Sequence, residues 1–305
     1  MDGYPFSLFR TAKDTRTRHR VKFAVMDRLE QAAINVPGVE VRVIERCAST
    51  NAVLMAERSG HPVLLAAEEQ TAGRGQRGRR WRSARGAGAT FSILRRMRCA
   101  PQLLAGLSLA VGVAAARALR SLGAGEVTLK WPNDLLAGGS NAGAKLGGIL
   151  IETRVQGREI WAVVGIGINC RPVRALGARL RRSVSALDEL LRPAPARNAV
   201  IGAVAREVLA ALEAYEHSGL PAFSEAWRAL HAHEGRRLRV RLADGRTVSG
   251  IAAGIAPTGA LRLRTRAGTR EVASGRIIGK RVAGSRRKAF AEGSRAAKRS
   301  VRAAT

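Results

Sequence analysis

The segment at residues 70–81 has the clearest capacity for chemistry in this sequence. It reads Gln-Thr-Ala-Gly-Arg-Gly-Gln-Arg-Gly-Arg-Arg-Trp, so three glycines are interspersed with four arginines. Glycine lets the backbone approach a ligand closely, and arginine supplies a permanent positive charge with planar donors that suit carboxylate and phosphate. The segment therefore predicts a loop that binds a small acidic ligand carrying phosphate. We call it the arginine–glycine loop.

Two nucleotide-binding motifs overlap this loop, and the neighbouring residues fit neither of them. Its glycines match the dinucleotide fingerprint G-x-G-x-x-G, but that motif requires a helix to begin at the third glycine. The chain continues instead as a loop and then as the strand-like run Ala-Thr-Phe-Ser-Ile-Leu at 89–94. A P-loop would need Lys followed by Ser or Thr where Arg79 and Arg80 stand. We reject both motifs; a solvated or nonspecifically RNA-binding loop is the simpler alternative.

Four other segments place polar residues or glycines beside strand-like runs. They are Ser-Thr-Asn at 49–51, Lys-Trp-Pro-Asn-Asp at 130–134, Lys-Leu-Gly-Gly-Ile-Leu-Ile-Glu at 145–152 and Val-Val-Gly-Ile-Gly-Ile-Asn at 163–169. Each also has a structural interpretation, since Ser-Thr-Asn can cap a helix, Asp134 can cap a turn, and strand glycines can serve packing. Lysine is rare in this arginine-rich chain, so its presence at position 145 indicates that a compact point charge is needed there.

Apolar patterning predicts the elements that position these segments. Residues 63–67 read as a buried strand directly before the arginine–glycine loop. The apolar spacing within 103–116 predicts a core helix that ends before Gly123, and 197–215 and 221–233 predict two more helices. Between 235 and 279, alternating runs and an Asp244-Gly245 turn predict the short strands of a small barrel.

Length and composition favour one large and one small domain, because 46% of the 305 residues are hydrophobic. The longest apolar stretch is too short to span a bilayer, and the N-terminus lacks a signal pattern. Three cysteines without a C-x-x-C pair argue against disulfides, so we expect a cytoplasmic protein with no membrane partner.

His231-Ala-His233 lacks a third ligand and is expected to be a pair of surface residues; no metal site is predicted.

The net charge of +30 is compatible with nucleic-acid binding, but its distribution favours a composition bias. Arginines are scattered through the sequence, whereas lysine occurs only seven times. Residues 281–305 form the dense basic run of the chain, and we expect them to be disordered and to contact anionic surfaces.

Taken in order, the five segments resemble those of the biotin protein ligase family, over roughly residues 40 to 280. The resemblance implies an α+β fold in which a mixed-sheet, biotin/lipoate ligase-like catalytic domain (35–233) precedes a small SH3-like β-barrel (234–280). Residues 1–34 would form a lead segment. Some members carry an N-terminal DNA-binding domain that represses transcription. The short lead leaves no room for it, so we expect a form lacking that domain, with no sequence-specific DNA binding.

The resemblance also implies the reaction, that of a biotin–[acetyl-CoA-carboxylase] ligase. ATP, with Mg²⁺, would activate biotin to biotinyl-5′-AMP, and a lysine of a biotin carboxyl carrier protein or domain would then accept the biotin. The enzyme would be a monomer or a homodimer. Two alternatives stay open: a lipoate or octanoate ligase or transferase of the same fold, weakened by the absence of an Arg-Arg-x-x-Gly-Gly-Gly segment, and a basic nucleic-acid-binding regulator.

Site residues are carried over from the family's motifs to the matching positions here. The resemblance assigns catalysis to Lys145 and Arg74, with Lys145 bridging the biotin carboxyl group and the α-phosphate. Biotin would be bound by Ser49, Thr50, Asn51, Gln70, Arg74, Gly75, Gln76, Trp131, Lys145 and Gly147. ATP or the adenylate would be bound by Arg77, Arg79, Trp81, Lys130, Asn133, Asp134 and Asn169. Gln76 stands where some members have arginine, which is a departure from the family pattern.

Overall fold

The computed structural model describes residues 27–82, 84–157, 159–172 and 183–278. The strands of a first sheet are β1 (Glu40–Cys47), β2 (Val63–Gln70), β3 (Gly88–Met97), β4 (Thr128–Lys130), β5 (Asp134–Leu136), β6 (Lys145–Gln156) and β7 (Glu159–Asn169). The helices are α1 (Thr50–Ala56), α2 (Leu107–Ser121), α3 (Arg197–Ser218) and α4 (Pro221–Leu230). The strands of a second sheet are β8 (Arg237–Arg241), β9 (Thr247–Ile255), β10 (Leu261–Thr265), β11 (Gly268–Val272) and β12 (Arg276–Ile278).

The first sheet is mixed, which confirms this part of the predicted fold. Its strand order is β1-β2-β3-β7-β6-β5-β4, in which β1 and β2 are parallel and the other neighbours are antiparallel. Parallel strands need a crossover, and α1 provides it between β1 and β2. The long β6–β7 pair sets Gly148 opposite Gly167, so two of the segments singled out in the sequence lie side by side.

Helices pack on both faces of this sheet. On one face, α2 buries most of its length against the sheet and α3, which confirms the predicted core helix. The helix begins at Leu107 rather than near 103, because residues 101–104 form a separate 3-10 turn and Gly106 adopts φ +84°. On the other face, Leu54 of α1 packs on alternate residues of β2, such as Val63 and Leu65. The helix predicted at 197–215 is confirmed as α3, and the one predicted at 221–233 is confirmed as α4, which ends at Leu230.

The second sheet confirms the antiparallel C-terminal unit expected from the alternating pattern. Its order is β11-β10-β9-β8-β12, and every pairing is antiparallel. In β8, buried Leu238 and Val240 alternate with exposed arginines, as a half-buried strand requires. The short β12 was absent from the sequence prediction. Among the described residues β11 and β12 form opposite edges, so closure into a barrel stays a prediction.

The two sheets meet around Trp131 and the segment after α4. Trp131 is 2% exposed, and its indole N–H donates to the Gly259 carbonyl at 3.0 Å. His231 stacks on Trp227 with ring centroids 4.3 Å apart, and His233 lies beside it. Both histidines are buried, so the expectation that they are surface residues is wrong. Among the described residues no group of three or more His, Cys, Asp or Glu side chains is placed to hold a metal.

A buried ion network ties the segment before β1 to β2 and α3. Arg197 lies 2.8 Å from Glu68 and 3.6 Å from Asp27, and the Leu29 N–H donates to Glu68 at 2.6 Å. Burial by itself raises the pKa of Glu68, but its hydrogen bonds to Arg197 and Leu29 outweigh this and lower the pKa. The lead segment predicted for 1–34 thus packs on the sheet from Asp27 onward. Its residues 1–26 and the predicted basic tail lie outside the described residues.

Two further observations concern membranes and thiols. In the described part of the chain, no helix has the length and apolarity needed to cross a bilayer. Cys47, Cys99 and Cys170 are free. Burial raises the pKa of the Cys170 thiol to about 12, so this group stays protonated and unreactive.

Candidate active site

A cleft of about 1160 Å³ opens between the first sheet, the arginine–glycine loop and the near end of the second sheet. It brings together most of the predicted site residues. Those that line it are Ser49, Thr50, Asn51, Gln70, Arg74, Gly75, Gln76, Arg79, Trp81, Lys130, Trp131, Asn133, Asp134 and Lys145. Arg77, Gly147 and Asn169 lie outside this lining.

The N-terminus of α1 and the last residue of β2 form one part of the cleft. Ser49 caps α1, and its hydroxyl accepts a hydrogen bond from a helix N–H at 3.5 Å. The side-chain oxygen of Gln70 accepts from the Thr50 N–H at 2.7 Å and from the Thr50 hydroxyl at 3.1 Å. The same hydroxyl lies 2.7 Å from the hydroxyl of Ser92 on β3. These polar groups orient one another, so they present fixed hydrogen-bonding positions.

Asn51 is held by both ends of its amide. Its nitrogen donates to Glu152 at 2.9 Å, and its oxygen accepts from Ser92 at 2.6 Å. Gly165 of β7 lies against this oxygen, and a Cβ at that position would overlap it. The second carboxylate oxygen of Glu152 lies 2.9 Å from Arg74 of the loop. Glu152 therefore connects the α1 end of the cleft to the arginine–glycine loop.

The arginine–glycine loop folds back on itself as a short hairpin. The Trp81 N–H donates to the Gly73 carbonyl at 2.9 Å, and the Gly75 N–H donates to the Arg79 carbonyl at 2.7 Å. The Arg74 side chain remains 54% exposed in spite of its pairing with Glu152. A charge this accessible keeps most of its hydration and can move to a ligand at little cost.

The tip of the loop reaches the second sheet rather than the cleft. Arg77 adopts φ +59°, in the left-handed region that few non-glycine residues occupy. Its guanidinium group donates to the Ser274 hydroxyl at 3.2 Å. Burial, and then the nearby charges of Arg79 and Arg276, lower its pKa. Three arginines from the two domains are therefore close to one another where the loop and the second sheet meet.

Lys145 begins β6 and is held at both its side chain and its backbone. Its ammonium group forms an ion pair with Asp134 of β5 and lies 5.8 Å from the centroid of the Trp81 ring. The two charged side chains are only 13% and 17% exposed, so both have lost most of their hydration. An anionic ligand at this point would compete with Asp134 for the ammonium group.

Asn169 supports the backbone of Lys145 from outside the cleft. Its amide donates to the Lys145 carbonyl at 3.3 Å and to the Ser185 carbonyl at 3.0 Å. The Ser185 N–H also donates to the Lys145 carbonyl at 3.0 Å. Gly147 is likewise packed into the sheet, because a Cβ there would lie 2.7 Å from the Gly167 carbonyl oxygen. These two residues shape the strand that carries the lysine.

Trp81 lies against the backbone of β7 and presents an unused donor. A Cβ at Gly167 would overlap its indole ring, so the glycine makes this close contact possible. The indole nitrogen is buried and has no hydrogen-bond partner among the described residues. A buried donor of this kind costs free energy unless a ligand or water satisfies it.

The Lys130–Asp134 segment supplies a second unused polar atom. The Trp131–Pro132 peptide bond is cis, and the Asn133 amide donates to the Ile149 carbonyl at 2.6 Å. The side-chain oxygen of Asn133 is buried in the cleft wall and lacks a partner among the described residues. Two oxygen-bearing side chains, those of Asn133 and Asp134, thus line the cleft near Lys145.

Sequence reasoning missed two residues that hold cleft side chains in place, Ser92 and Glu152. It also missed four residues that line the cleft, which are His233, Arg236, Arg237 and Arg276. Ser92 sits within an apolar strand, and Glu152 ends a strand segment that was singled out for its lysine. An isolated polar residue on a buried strand is the signal that could have identified both. His233 and the three arginines reach the cleft through the contact between the two sheets, for which the sequence carries no local signal.

The cleft therefore offers three chemical environments. Neutral, ordered hydroxyl and amide groups suit a neutral polar ring. A desolvated lysine suits a carboxylate or phosphate, and the arginines of the loop and the second sheet suit further phosphate groups. Such a series fits a ligand with a neutral head, an acidic junction and a charged nucleotide.

Comparisons with known proteins agree with this description. Residues 43–169 match the biotin/lipoate A/B protein ligase family, and residues 233–279 match the biotin protein ligase C-terminal domain. The Escherichia coli bifunctional ligase/repressor BirA is 36% identical over 231 residues, which cover 74% of this chain and 70% of that protein. The Mycobacterium tuberculosis biotin–[acetyl-CoA-carboxylase] ligase is 34% identical over 247 residues, which cover 78% and 88%.

Among solved structures, biotin protein ligase from Aquifex aeolicus in complex with biotin and ATP has the same fold. The TM-score is 0.67 at 25% identity, over 79% of this chain and 99% of that one. The shared fold, the two matched domains and relatives above 30% identity lead to one assignment: this chain belongs to the biotin protein ligase family.

Proposed function

We propose that this protein is an ATP-dependent biotin protein ligase that forms biotinyl-5′-AMP and transfers biotin to a lysine of a biotin carboxyl carrier domain. The position of Lys145 carries the proposal. Its ammonium group lies in a cleft that is lined on one side by fixed neutral polar groups and on another by the arginine–glycine loop. A desolvated cation at such a point suits the junction between a carboxylate and an α-phosphate.

The neutral end of the cleft is assigned to biotin. The ureido ring of biotin has both donors and acceptors and no charge, so it needs oriented hydroxyl and amide groups. We assign ring recognition to Ser49, Thr50, Asn51 and Gln70. The Thr50–Gln70 hydrogen bond and the bonds of Ser49, Thr50 and Asn51 to Ala52, Ser92 and Glu152 hold these groups in place, which supports this role. Gly75, Gln76 and Trp131 line the same cleft, and we assign them to biotin as well, while Gly147 keeps β6 close to its neighbour.

Activation joins biotin to the nucleotide. A carboxylate oxygen of biotin attacks the α-phosphorus of ATP, and the bond from that phosphorus to the bridging oxygen breaks, so pyrophosphate leaves with the electron pair. Negative charge grows on the α-phosphoryl oxygens, and a fixed cation stabilises it. We assign this role to Lys145, with Arg74 as a second cation. Arg79, Trp81 and Lys130 are assigned to the nucleotide. Arg77 instead bonds to Ser274 of the second sheet, and Asn169 acts through the Lys145 backbone.

Mg²⁺ fits the acidic side of this site. The ion takes oxygen ligands and is often bound by one or two carboxylates together with substrate phosphates. Asp134 and the unpartnered oxygen of Asn133 are oxygen donors that line the cleft near Lys145, so these two residues would hold it. When bound, the ion supplies charge neutralisation for the triphosphate.

Transfer requires an acceptor lysine to reach the adenylate. Its neutral amine attacks the carbonyl carbon of the mixed anhydride, AMP leaves with the bonding electrons, and the amine loses a proton. We propose a biotin carboxyl carrier domain of a carboxylase as the acceptor and the cytoplasm as the location. The free cysteines and the use of ATP support that location.

Intact-protein mass spectrometry tests the proposal. The enzyme is incubated with biotin, MgATP and a purified carrier domain, in parallel with reactions that contain lipoate or octanoate instead of biotin. We expect the carrier to gain the mass of one biotinyl group only when biotin and ATP are both present. A carrier with its target lysine replaced by arginine should stay unlabelled. Labelling from lipoate or octanoate alone would establish the alternative activity of the same fold.

A further inference from the structure

One face of the second sheet carries a group of exposed arginines. Arg237, Arg239 and Arg241 of β8 are exposed, as are Arg264 of β10 and Arg276 of β12. Strand register places them on the same side, because residues directly opposite in a ladder share a face. Arg276 is opposite Arg241, while Arg237 and Arg264 are both opposite Ile251 of the intervening strand. We call these five residues the arginine face.

The charges of the arginine face are not neutralised within the described structure. Residues 234–278 contain ten arginines and three carboxylates. Each carboxylate already has another partner: Glu234 pairs with Arg228, Asp244 with Arg246 and Glu271 with Arg262. Like charges directly opposite in a sheet, such as Arg241 and Arg276, destabilise it. A bound anionic surface would remove that cost.

The arginine face begins at the mouth of the cleft. Arg237 and Arg276 line the cleft as well as belonging to the face. Ile278, which pairs with Arg239, lines it too. The tip of the arginine–glycine loop touches the adjoining Ser274. The rim of the cleft and the arginine face are therefore one continuous surface.

We propose that the arginine face is the docking surface for the acceptor carrier domain, and that the carrier presents carboxylates around its target lysine. This inference rests on the proposed function. The lysine must enter the cleft, so the folded domain that bears it must lie over the rim. The exposed large hydrophobic residues of the described chain are Val53, Leu103 and Val155, and none belongs to this face. Recognition here is therefore electrostatic, which accelerates association and weakens with salt.

Nucleic acid is the other polyanion that this face would attract. The continuity with the cleft favours the carrier, because an extended phosphate backbone has no need to reach a catalytic lysine site. The two partners give different results in one set of variants, so they can be distinguished directly.

The test uses the full chain with Arg239, Arg241 and Arg264 changed together to glutamate. None of these residues lines the cleft. A matched control carries Arg98→Glu, Arg117→Glu and Arg192→Glu, which change three exposed arginines outside the cleft lining. Two rates are measured at low salt: biotin-dependent pyrophosphate release without carrier, and transfer from chemically made biotinyl-5′-AMP to a purified carrier domain.

We expect the face variant to lose about tenfold or more in kcat/KM for the carrier, while the control variant keeps it. Pyrophosphate release should be unchanged in both. Raising salt should slow transfer by the unmodified enzyme more than transfer by the face variant. A carrier with flanking carboxylates changed to lysine should restore transfer by the face variant.

Unchanged carrier transfer with normal pyrophosphate release would overturn the docking inference and leave the proposed function intact. If the face variant instead lost only its binding to a fluorescent oligonucleotide, the face would be a nucleic-acid site. If the unmodified enzyme released no pyrophosphate in response to biotin, the proposed function would fail, and the docking inference with it.

Discussion

Glu152 accepts a hydrogen bond from Asn51 at 2.9 Å, and its other carboxylate oxygen lies 2.9 Å from Arg74. One side chain on a central strand thus orients an amide at the neutral end of the cleft and holds a cation of the arginine–glycine loop. The Glu152 side chain is only 20% exposed and Asn51 is buried, so the contact between them is largely shielded from water, whereas Arg74 remains 54% exposed.

Replacing Glu152 should therefore weaken biotin binding. Glu152→Ala leaves the buried Asn51 amide with a missing acceptor, and losing a hydrogen bond to a charged group costs about 1.5–3 kcal/mol. We expect the KM for biotin in pyrophosphate release to rise at least about tenfold. Glu152→Gln keeps an acceptor for Asn51 and loses only the pairing with the exposed Arg74, so its KM should rise less. Equal effects of the two variants would argue against an orienting role.

Two strand glycines should not tolerate replacement by alanine, because they contact side chains of the cleft directly. A Cβ at Gly165 would displace the Asn51 amide, and one at Gly167 would displace the Trp81 ring. We expect Gly165→Ala to weaken biotin binding and Gly167→Ala to weaken ATP binding, as measured by calorimetry on the folded variants. Gly60→Ala is the matched control, since no atom lies within 4 Å of the added carbon. Normal affinities in both site variants would contradict the assignment.

Removal of the Lys145 ammonium group should block activation and spare transfer. We expect Lys145→Ala to lower the rate of adenylate formation by about 10²–10³, the effect of deleting one group that stabilises transition-state charge. The variant should fold, because its side chain lies in a cleft outside the apolar core. When supplied with chemically made biotinyl-5′-AMP, it should label the carrier again at least in part. Near-normal pyrophosphate release by the folded variant would refute the assignment.

Stability should fall on mild acidification because of His233. Burial, and then the charges of His231, Lys130 and Arg236, lower its pKa to about 3, from a usual value of about 6.5. Below about pH 6.5, His233 therefore binds a proton in the unfolded chain but not in the folded protein. The contribution of His233 to the free energy of unfolding is fully present above that pH and is lost as the pH falls towards 3. Urea unfolding at pH 8 and pH 5 should show the loss.

His233→Gln removes that titrating group and should reduce the difference between the two pH values. His217→Gln, at an exposed histidine, is the control and should leave the difference unchanged. An undiminished difference in the His233 variant would place the acid sensitivity elsewhere in the molecule.

The sequence predicted the residues of the cleft that belong to local motifs. The arginine–glycine loop and Lys145 were identified because their composition departs from the surrounding chain, and the structure brings them into one cleft. Glu152 was overlooked as a site residue because its role depends on Asn51, about one hundred positions away in the chain. Its partner on the loop, Arg74, was assigned from the motif alone.

In the second sheet, too, the features that depend on contacts between distant residues were not predicted. Alternation predicted β8 to β11, whereas β12 has three residues and exists only through its pairing with β8. The two histidines were wrongly expected at the surface because polar residues are usually exposed. The stacking of His231 on Trp227 lies at the contact between the two domains, which the local sequence does not show. The same contact between the domains brings Arg236, Arg237 and Arg276 to the cleft. Only the structure therefore shows that the rim of the cleft contains these arginines.

Biotin-dependent exchange of pyrophosphate into ATP tests the central claim most directly, because it needs no acceptor and reports activation alone. We predict that biotin with MgATP supports exchange by the unmodified protein, that lipoate and octanoate do not, and that Lys145→Ala lowers the exchange rate by about 10²–10³. Exchange that is independent of biotin, or equally supported by lipoate, would contradict the account.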